Sequence, residues 1–128
     1  MLRKHFTAAE PVAITHSGFK GLSARYVLTS ADGCPHFAMR VMEFEPQGHT
    51  SLHAHLEEHE IFVIEGEPLY IDANGQETRL QVGDAVYVPP EEPHQLINVG
   101  QTTMRLLCLI PILPGANGRS TTPCPITK

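Results

Sequence analysis

Short runs of β-branched and aromatic residues, separated by glycine and proline, recur along the chain about every 8–12 residues. The runs are ARYVLT, HFAMRVMEFE, EIFVIEG, PLYIDA, ETRLQV, AVYVP, HQLINV and TMRLLCLIP. Asn74-Gly75 lies between the fourth and the fifth run and is typical of a two-residue hairpin turn, because that turn needs positive φ at both positions. No stretch combines the length and the apolar period of a helix. The pattern therefore predicts an all-β fold, an antiparallel barrel or sandwich of short strands.

The length fits a single domain over residues 1–128. Of the 128 residues, 41% are hydrophobic and 18% charged, as in globular proteins. We expect the barrel core to span about residues 20–111, followed by an irregular tail over 112–128, which is rich in proline, glycine, serine and threonine. Cys34, Cys108 and Cys124 are an odd number at wide spacing, which favours neither a disulfide framework nor a zinc knuckle.

Charge and hydropathy argue against two kinds of partner. The formal net charge is −5 and the pI about 5.8, whereas phosphate backbones bind to basic surfaces, so we expect no nucleic acid. No apolar run approaches the roughly 20 residues of a membrane span. The first residues also lack the apolar stretch of a signal peptide. We therefore expect a cytoplasmic protein that binds no membrane.

The histidines are the residues that indicate a chemistry. His53 and His55 are two positions apart, so on a strand both imidazoles point to one face. His59 follows a short polar break, and His94 follows a proline-rich turn at the start of another strand. Neutral imidazole is the commonest nitrogen ligand of divalent metals. A lone histidine is more often structural, but this combination predicts one bound divalent metal ion. The histidines outside the pattern are His5, His16, His36 and His49.

The same block resembles the two sequence motifs of the cupin superfamily. The first motif, G-x4or5-H-x-H-x3or4-E-x6-G, is matched by Gly48, His53, His55 and Gly66. The second motif, G-x5-P-x-G-x2-H-x3-N, is matched by Gly83, Pro89, His94 and Asn98. Glu91 stands where the second motif has glycine, which takes positive φ at lower cost than glutamate does. The resemblance implies a single-domain jelly-roll β-barrel, also called a double-stranded β-helix.

A finer likeness concerns the metal. The segment HAHLEEHEIFVIEG, with HFAMRVMEFEPQG before it and LLCLIP after it, is similar to small bacterial four-histidine manganese cupins. In that subgroup a histidine replaces the usual glutamate ligand. The resemblance implies one Mn(II) ion, although histidine ligation also suits Fe, Co, Ni, Cu and Zn. The metal ligands that it implies are His53, His55, His59 and His94.

Two adjacent residues are candidates for the fourth ligand. The spacing of the motif reaches both His59 and Glu60, and in HEIFVIEG each of them shares a strand face with apolar residues. Parity with the first two histidines favours His59, although the intervening turn is able to reset the alternation. The resemblance decides for His59. Candidate groups for orienting the imidazoles are Glu58, Glu60 and Gln95.

The expected function follows from the charge of such a site. Four neutral imidazoles leave the ion its full double charge and two adjacent positions of an octahedral shell, which favours anionic ligands and chemistry. The first hypothesis is a dioxygenase-like oxidoreductase that acts on a small organic substrate. The alternatives are a non-catalytic small-molecule-binding cupin and a metal-dependent isomerase or lyase. Cys108 and Glu60 are the candidate pocket residues, Cys108 being otherwise a small buried hydrophobe.

The assembly is predicted from the edges of a short barrel, which need to be covered. The segment ARYVLT is a candidate to pair with a neighbouring chain, and a closed pairing of this kind gives a two-fold homodimer.

Overall fold

A computed structural model describes residues 1–113, and its regular elements are strands apart from two short 3-10 helices, Phe6–Ala8 and Ser30–Asp32. The strands are β1 (Val12–Ala13), β2 (Lys20–Leu28), β3 (Phe37–His49), β4 (His59–Glu65), β5 (Pro68–Ile71), β6 (Glu77–Arg79), β7 (Ala85–Val88), β8 (Gln95–Asn98) and β9 (Met104–Pro111). The all-β prediction is confirmed. Of the predicted tail, residues 114–128 lie outside the described part of the chain. Within that part, no helix is long and apolar enough to cross a membrane.

All the strand pairs are antiparallel and belong to one curled sheet. The order is β6-β5-β8-β3-β9-β4-β7, and β2 pairs with both β1 and β3. Strands that are distant in sequence are therefore neighbours in space, as in a jelly roll. The sheet curls around its buried face, so side chains from the central block and from the last strand meet in the interior.

The longest strand, β3, pairs with different strands along its length. The segment that follows β3 carries His53 and His55, so this change of partner decides where they lie. Most of β3 pairs with β9, whereas its last residue, His49, pairs with β8. Just before this point Gln47 has a φ of +67°. A Cβ on Gly48 would lie 2.6 Å from the carbonyl oxygen of Gly21, so only glycine lets β2 approach β3 so closely. The resulting bend leads from the β9 side of the sheet to the β8 side.

The core consists of inward side chains that alternate with outward ones. In β9 these are Met104, Leu106, Cys108 and Ile110, all buried. The first three pack with the inward residues of β2, β3, β4, β7 and β8 in one buried apolar cluster, whereas Ile110 packs with Ala38 of β3 in a second one. Burying an aliphatic or aromatic side chain of this size stabilises the fold by about 1.5–3 kcal/mol. The strand alternation in the sequence therefore marks the interior surface into which the histidines project.

The hairpin predicted around Asn74-Gly75 is present, but its turn is longer than the two residues expected. Strands β5 and β6 pair as far as Ile71 and Glu77, so the loop spans 72–76. The carboxylate of Asp72 accepts hydrogen bonds from the N–H groups of Asn74 (2.8 Å) and Gln76 (2.9 Å). Gly75 has positive φ, whereas Asn74 does not. The aspartate side chain stabilises this wider loop, which the dipeptide alone did not reveal.

The segment ARYVLT lies almost entirely within β2. That strand pairs with β3 along most of its length and with β1 at two residues, Ala24 and Ser23. Within residues 1–113 its backbone is therefore engaged mainly by its own chain. Pairing of this segment with a neighbouring chain stays a prediction.

Candidate metal centre

Two chain segments that carry the site are joined by backbone hydrogen bonds. The N–H of His53 donates to the carbonyl of His94 (3.1 Å), and the N–H of His94 donates to the carbonyl of His53 (2.9 Å). On either side, Thr50 donates to Leu96 (3.0 Å) and Glu91 donates to His55 (2.7 Å). The segment after β3 thus forms a short ladder with the segment that enters β8. This ladder brings together histidines that are far apart in the sequence.

The structure brings together all four histidines that the sequence singled out. One ring nitrogen from each of His53, His55 and His94 lies within 4.8 Å of the other two. His59 comes from the first position of β4, and its Nε2 lies 2.7 Å from the Nε2 of His55. The ring centroids of His59 and His94 are 5.3 Å apart. Three imidazoles form a compact cluster, and the fourth contacts it.

Backbone carbonyl groups orient three of the imidazoles in the same way. The Nδ1 atoms of His53, His55 and His94 lie 2.8, 2.7 and 2.8 Å from the carbonyl oxygens of Ser51, Glu57 and Glu92, respectively. A carbonyl oxygen only accepts hydrogen bonds, so each Nδ1 carries the proton and donates it. In a neutral imidazole the Nε2 atom then presents a lone pair. We infer that three lone pairs converge in the interior.

Burial keeps these imidazoles neutral. Desolvation lowers the pKa of His53 and that of His55 to about 4. It also lowers the pKa of His94, and that of His59 falls well below its usual range, with the positive charge of Arg40 as a second cause. The unprotonated form is the form that binds a metal. Converging lone pairs repel one another unless a cation lies between them, so the donor set fits a divalent metal ion.

His59 differs from the other three histidines. Its Nδ1 is buried and has no hydrogen-bond partner within the described residues, whereas each of the others has a carbonyl partner. The orientation of the His59 ring therefore depends on its contact with His55 and on the packing of β4. His59 is the least pre-oriented member of the group.

A small cavity of about 30 Å³ adjoins the histidines, which is room for one water molecule. Its wall includes three of the imidazoles, the polar residues Arg40 and Thr50, and a larger set of apolar residues. The wall residues are Arg40, Met42, Phe44, Thr50, His53, His59, Ile61, His94, Leu96, Leu106 and Cys108. Cys108 was predicted to be either a pocket residue or a small buried hydrophobe, and it lines this cavity. The thiol is 4% exposed.

Glu60 lies elsewhere than predicted. It is exposed on the outer face of β4, whereas His59, Ile61 and Val63 are buried on the inner face. The strand begins at His59, so alternation places the imidazole inside and the neighbouring carboxylate outside. Apolar residues on the outer face made the two faces indistinguishable in the sequence. Glu60 is therefore not a residue of the histidine pocket.

The groups expected to orient the imidazoles also differ. Glu58 accepts a hydrogen bond from the hydroxyl of Tyr87 at the surface (2.7 Å), and Gln95 donates to the carbonyl of Thr50 (2.7 Å). The buried carboxylate near the site belongs to Glu57, which is 1% exposed and has Oε2 3.8 Å from Nδ1 of His55. Nothing in the charged sequence LEEHE distinguishes Glu57 from its neighbour, because their burial depends on how the turn folds.

Sequence reasoning also missed Arg40. It alternates along β3 with Ala38, Met42 and Phe44, all of them inward and buried. A single arginine within an apolar strand face was the available signal.

Glu91 stands where the second cupin motif has glycine, and it has the positive φ that glycine takes at lower cost, with a value of +60°.

This chain is similar in sequence to a known protein family and in fold to several solved structures. Residues 40–110 match the family described as "Cupin domain". A curated, uncharacterized protein of Methanocaldococcus jannaschii is 33% identical over 60 residues, which are 46% of this chain and 47% of that protein. The match thus spans about half the length of that relative.

Solved structures are similar over a larger part of the chain. The polyketide cyclase RemF from Streptomyces resistomycificus has a TM-score of 0.82 and 30% identity, covering 87% of this chain and 79% of that one. A structure described as a predicted oxalate decarboxylase from Thermotoga maritima has a TM-score of 0.77 and 24% identity, covering 88% and 100%. A sugar phosphate isomerase from Silicibacter pomeroyi has a TM-score of 0.74 and 21% identity, covering 88% and 77%. The last two show the fold alone. With a family match over more than half of its residues and the jelly-roll topology, the chain belongs to the cupin domain family.

Proposed function

We propose that this cupin is a metal-dependent enzyme, an oxidoreductase of dioxygenase-like type that acts on a small organic substrate. The observation that carries the proposal is the cluster of three imidazoles, two buried and one partly buried, each anchored through Nδ1 to a backbone carbonyl. The proposed ligands are His53, His55, His59 and His94. Manganese is proposed as the metal through the resemblance described above.

The residues of this chain have three tasks in such an enzyme. The carbonyls of Ser51, Glu57 and Glu92 hold the imidazoles in one tautomer, and burial holds them neutral. The apolar side chains around the cavity, such as Phe44, Ile61 and Leu106, limit the access of water to the reacting groups. A divalent ion, when bound, supplies a Lewis-acidic centre that polarises substrate oxygen and, for redox-active metals, takes part in electron transfer. Neutral ligands leave its full double charge to attract an anionic substrate.

The test is elemental analysis of the purified protein followed by dioxygen-uptake assays with enols, catechols and keto acids. We expect close to one divalent ion per chain, lost in His94→Ala and retained in the matched control His16→Ala, whose side chain is exposed. Metal retention in His94→Ala, or a metal-free wild-type protein from metal-supplemented medium, refutes the metal site. Metal-loaded protein without dioxygen uptake on any of these substrates refutes the oxidoreductase assignment alone.

A second candidate function is metal-assisted cyclisation of a polyketide-like substrate. It is favoured by the 30% identity to the polyketide cyclase RemF over 87% of this chain. Cyclisation needs Lewis-acid activation of a carbonyl but no oxidant. Turnover of a β-polyketone under strictly anaerobic conditions would favour this reaction over the oxidative one.

We infer that two copies associate through the outer face of β4, β7 and β9, as an alternative to the predicted pairing through ARYVLT, whose backbone is engaged mainly by its own chain. On this face Tyr87 is 55% exposed, Phe62 46% and Ile64 42%, and next to it Phe37 of β3, which pairs with Pro111 of β9, is 68% exposed. At about 150–250 Å² per aromatic side chain, they expose on the order of 400 Å² of apolar surface. That area is roughly half of the ~800 Å² that each partner buries in a standard interface. Strand β7 also ends the sheet, so its backbone edge adjoins the same face.

Light scattering at micromolar concentration tests this association. We expect a dimer for the wild type and a monomer for Phe62→Arg, with metal content unchanged. Leu2→Arg is the control, since it places the same charge at an exposed apolar residue of the N-terminal segment. A monomeric wild type, or a Phe62→Arg variant that stays dimeric, contradicts the inference.

A further inference from the structure

Glu57 differs in its burial from every other acidic residue of the described chain. Its side chain is 1% exposed, whereas the other aspartates and glutamates of residues 1–113 are half-buried or exposed. Its neighbour Glu58 has the same chemistry but accepts a hydrogen bond from Tyr87 at the surface (2.7 Å). Burying a carboxylate costs free energy unless nearby groups favour its charge. The position of Glu57 is therefore explained only by the groups around it.

Glu57 contacts the Nδ1 side of the His55 ring in two ways. Its backbone carbonyl accepts the hydrogen bond from Nδ1 (2.7 Å), and Oε2 of its carboxylate lies 3.8 Å from the same nitrogen. A separation of 3.8 Å is too long for a hydrogen bond, so the carboxylate acts on this ring through its charge. Ser51 and Glu92 each provide a carbonyl to their imidazole. Within residues 1–113, His55 is the one clustered histidine with a carboxylate within 4.0 Å of a ring nitrogen.

A negative charge behind His55 gains importance when a metal is bound. Neutral imidazoles leave a divalent ion its two positive charges, and Arg40, the other buried residue with a formal charge in the described part of the chain, is positive as well. Charges in such surroundings are poorly screened, so a nearby carboxylate offsets part of this excess. The same carboxylate polarises the imidazole and makes its Nε2 a stronger donor.

We propose that Glu57 is a positioning residue of the metal site, which strengthens metal binding by placing a buried negative charge behind the His55 imidazole. Its carbonyl fixes the tautomer and the orientation of the ring, and its carboxylate increases the donor strength of Nε2. This inference rests on the metal site of the proposed function, but not on the reaction that the enzyme catalyses.

Glu57→Gln tests the proposal, because glutamine keeps the shape of the side chain and the backbone carbonyl but removes the charge. The measurement is the dissociation constant of Mn(II), obtained by titrating metal-free protein in competition with a chelator. We expect Glu57→Gln to bind Mn(II) about ten-fold or more weakly. Glu58→Gln is the matched control, since it changes the net charge equally one residue away, and it should keep the wild-type affinity. Glu57→Asp retains the charge on a shorter side chain, and we expect an intermediate affinity.

A second readout separates the effect of the charge from a loss of packing. The cavity beside the histidines has room for one water molecule, so the small anion fluoride is the probe. Removing the carboxylate charge raises the effective charge of the bound ion, so manganese-loaded Glu57→Gln should bind fluoride about three-fold or more tightly than the wild type does. The EPR spectrum of the bound Mn(II) follows this titration. If Glu57 served only to balance the charge of Arg40, its removal would lower the thermal stability of the metal-free protein and leave both dissociation constants unchanged.

The possible results separate this inference from the proposed function. Wild-type protein that binds no metal contradicts both. Wild-type Mn(II) affinity in Glu57→Gln, or weaker Mn(II) binding without tighter fluoride binding, contradicts the role of Glu57 alone. An equal loss of Mn(II) affinity in Glu58→Gln also contradicts it, because the effect would then come from net charge. Should Glu57→Gln fail to fold, Glu57→Asp with wild-type Mn(II) affinity overturns the proposal.

Discussion

Glu91 lies in the turn that delivers His94, and its backbone conformation makes a quantitative prediction. Its φ of +60° lies in the left-handed region, which costs a residue with a Cβ about 1–2 kcal/mol. The side chain is exposed, and the N–H donates to the carbonyl of His55 (2.7 Å). Glu91→Gly removes the conformational cost while keeping that hydrogen bond. The variant should therefore be more stable than the wild type.

The expected gain is smaller than the strain removed. Glycine adds roughly 0.5–1 kcal/mol of backbone entropy to the unfolded chain, which offsets part of the relief. The net stabilisation is about 0.5–1 kcal/mol. For a chain of 128 residues this corresponds to a rise in melting temperature of about 2–4 °C.

Thermal unfolding followed by circular dichroism measures this shift, with Glu92→Gly as the control. Glu92 carries the same charge one position later but does not have positive φ, so the same substitution there should lower the stability by about 0.5–1 kcal/mol. Metal content should be unchanged in Glu91→Gly. A melting temperature at or below that of the wild type would refute the argument that Glu91 is strained.

Three further predictions concern the site and the β5–β6 hairpin. In the metal-free protein, the free energy of unfolding should be highest near neutral pH and fall as the pH drops through 6.5 toward about 4, because the unfolded chain protonates His53 and His55 while the folded chain leaves them neutral. The slope reaches at most about 1.4 kcal/mol per pH unit for each such imidazole, and denaturant unfolding at several pH values that gave no slope would contradict it. His59→Glu should keep one ion per chain and bind acetate more weakly, since the carboxylate lowers the charge of the site by one unit; elemental analysis and calorimetry measure both effects. Asp72→Ala should destabilise the protein by about 1 kcal/mol through the loss of two hydrogen bonds in the loop, whereas an unchanged melting temperature would show that the carboxylate contributes nothing.

Much of the fold was predictable because its signals are local. Alternation in segments such as TMRLLCLIP reflects the two faces of a strand, and in the structure every second residue of β9 is buried. The grouping of His53, His55, His59 and His94 was also predictable, since the spacing of the first pair and the turn before the last are properties of short segments. The left-handed conformation of Glu91 was also indicated by the sequence, because the second cupin motif has glycine at this position.

Other features depended on contacts between distant segments. Whether His59 or Glu60 faces inward depends on where β4 begins, and this is set by its pairing with β7 and β9 rather than by its own residues. Glu57 and Glu58 are adjacent and chemically alike, yet the first is buried beside His55 and the second bonds Tyr87 at the surface. The difference between these two glutamates therefore depends on residues that are contributed by other segments of the chain, such as Tyr87 of β7.

Strand period and imidazole chemistry are encoded residue by residue, so the class of fold and a set of candidate metal ligands could be predicted from the chain alone. The surroundings of those residues depend on how the strands pack. Arg40 is an ordinary charged residue in the chain, and it becomes part of the cavity wall because β3 lies beside β9 in the curled sheet. Burial, and with it the lowered pKa of each imidazole, is a property of the assembled strands. The electrostatic character of the site therefore arises from packing that no single segment specifies.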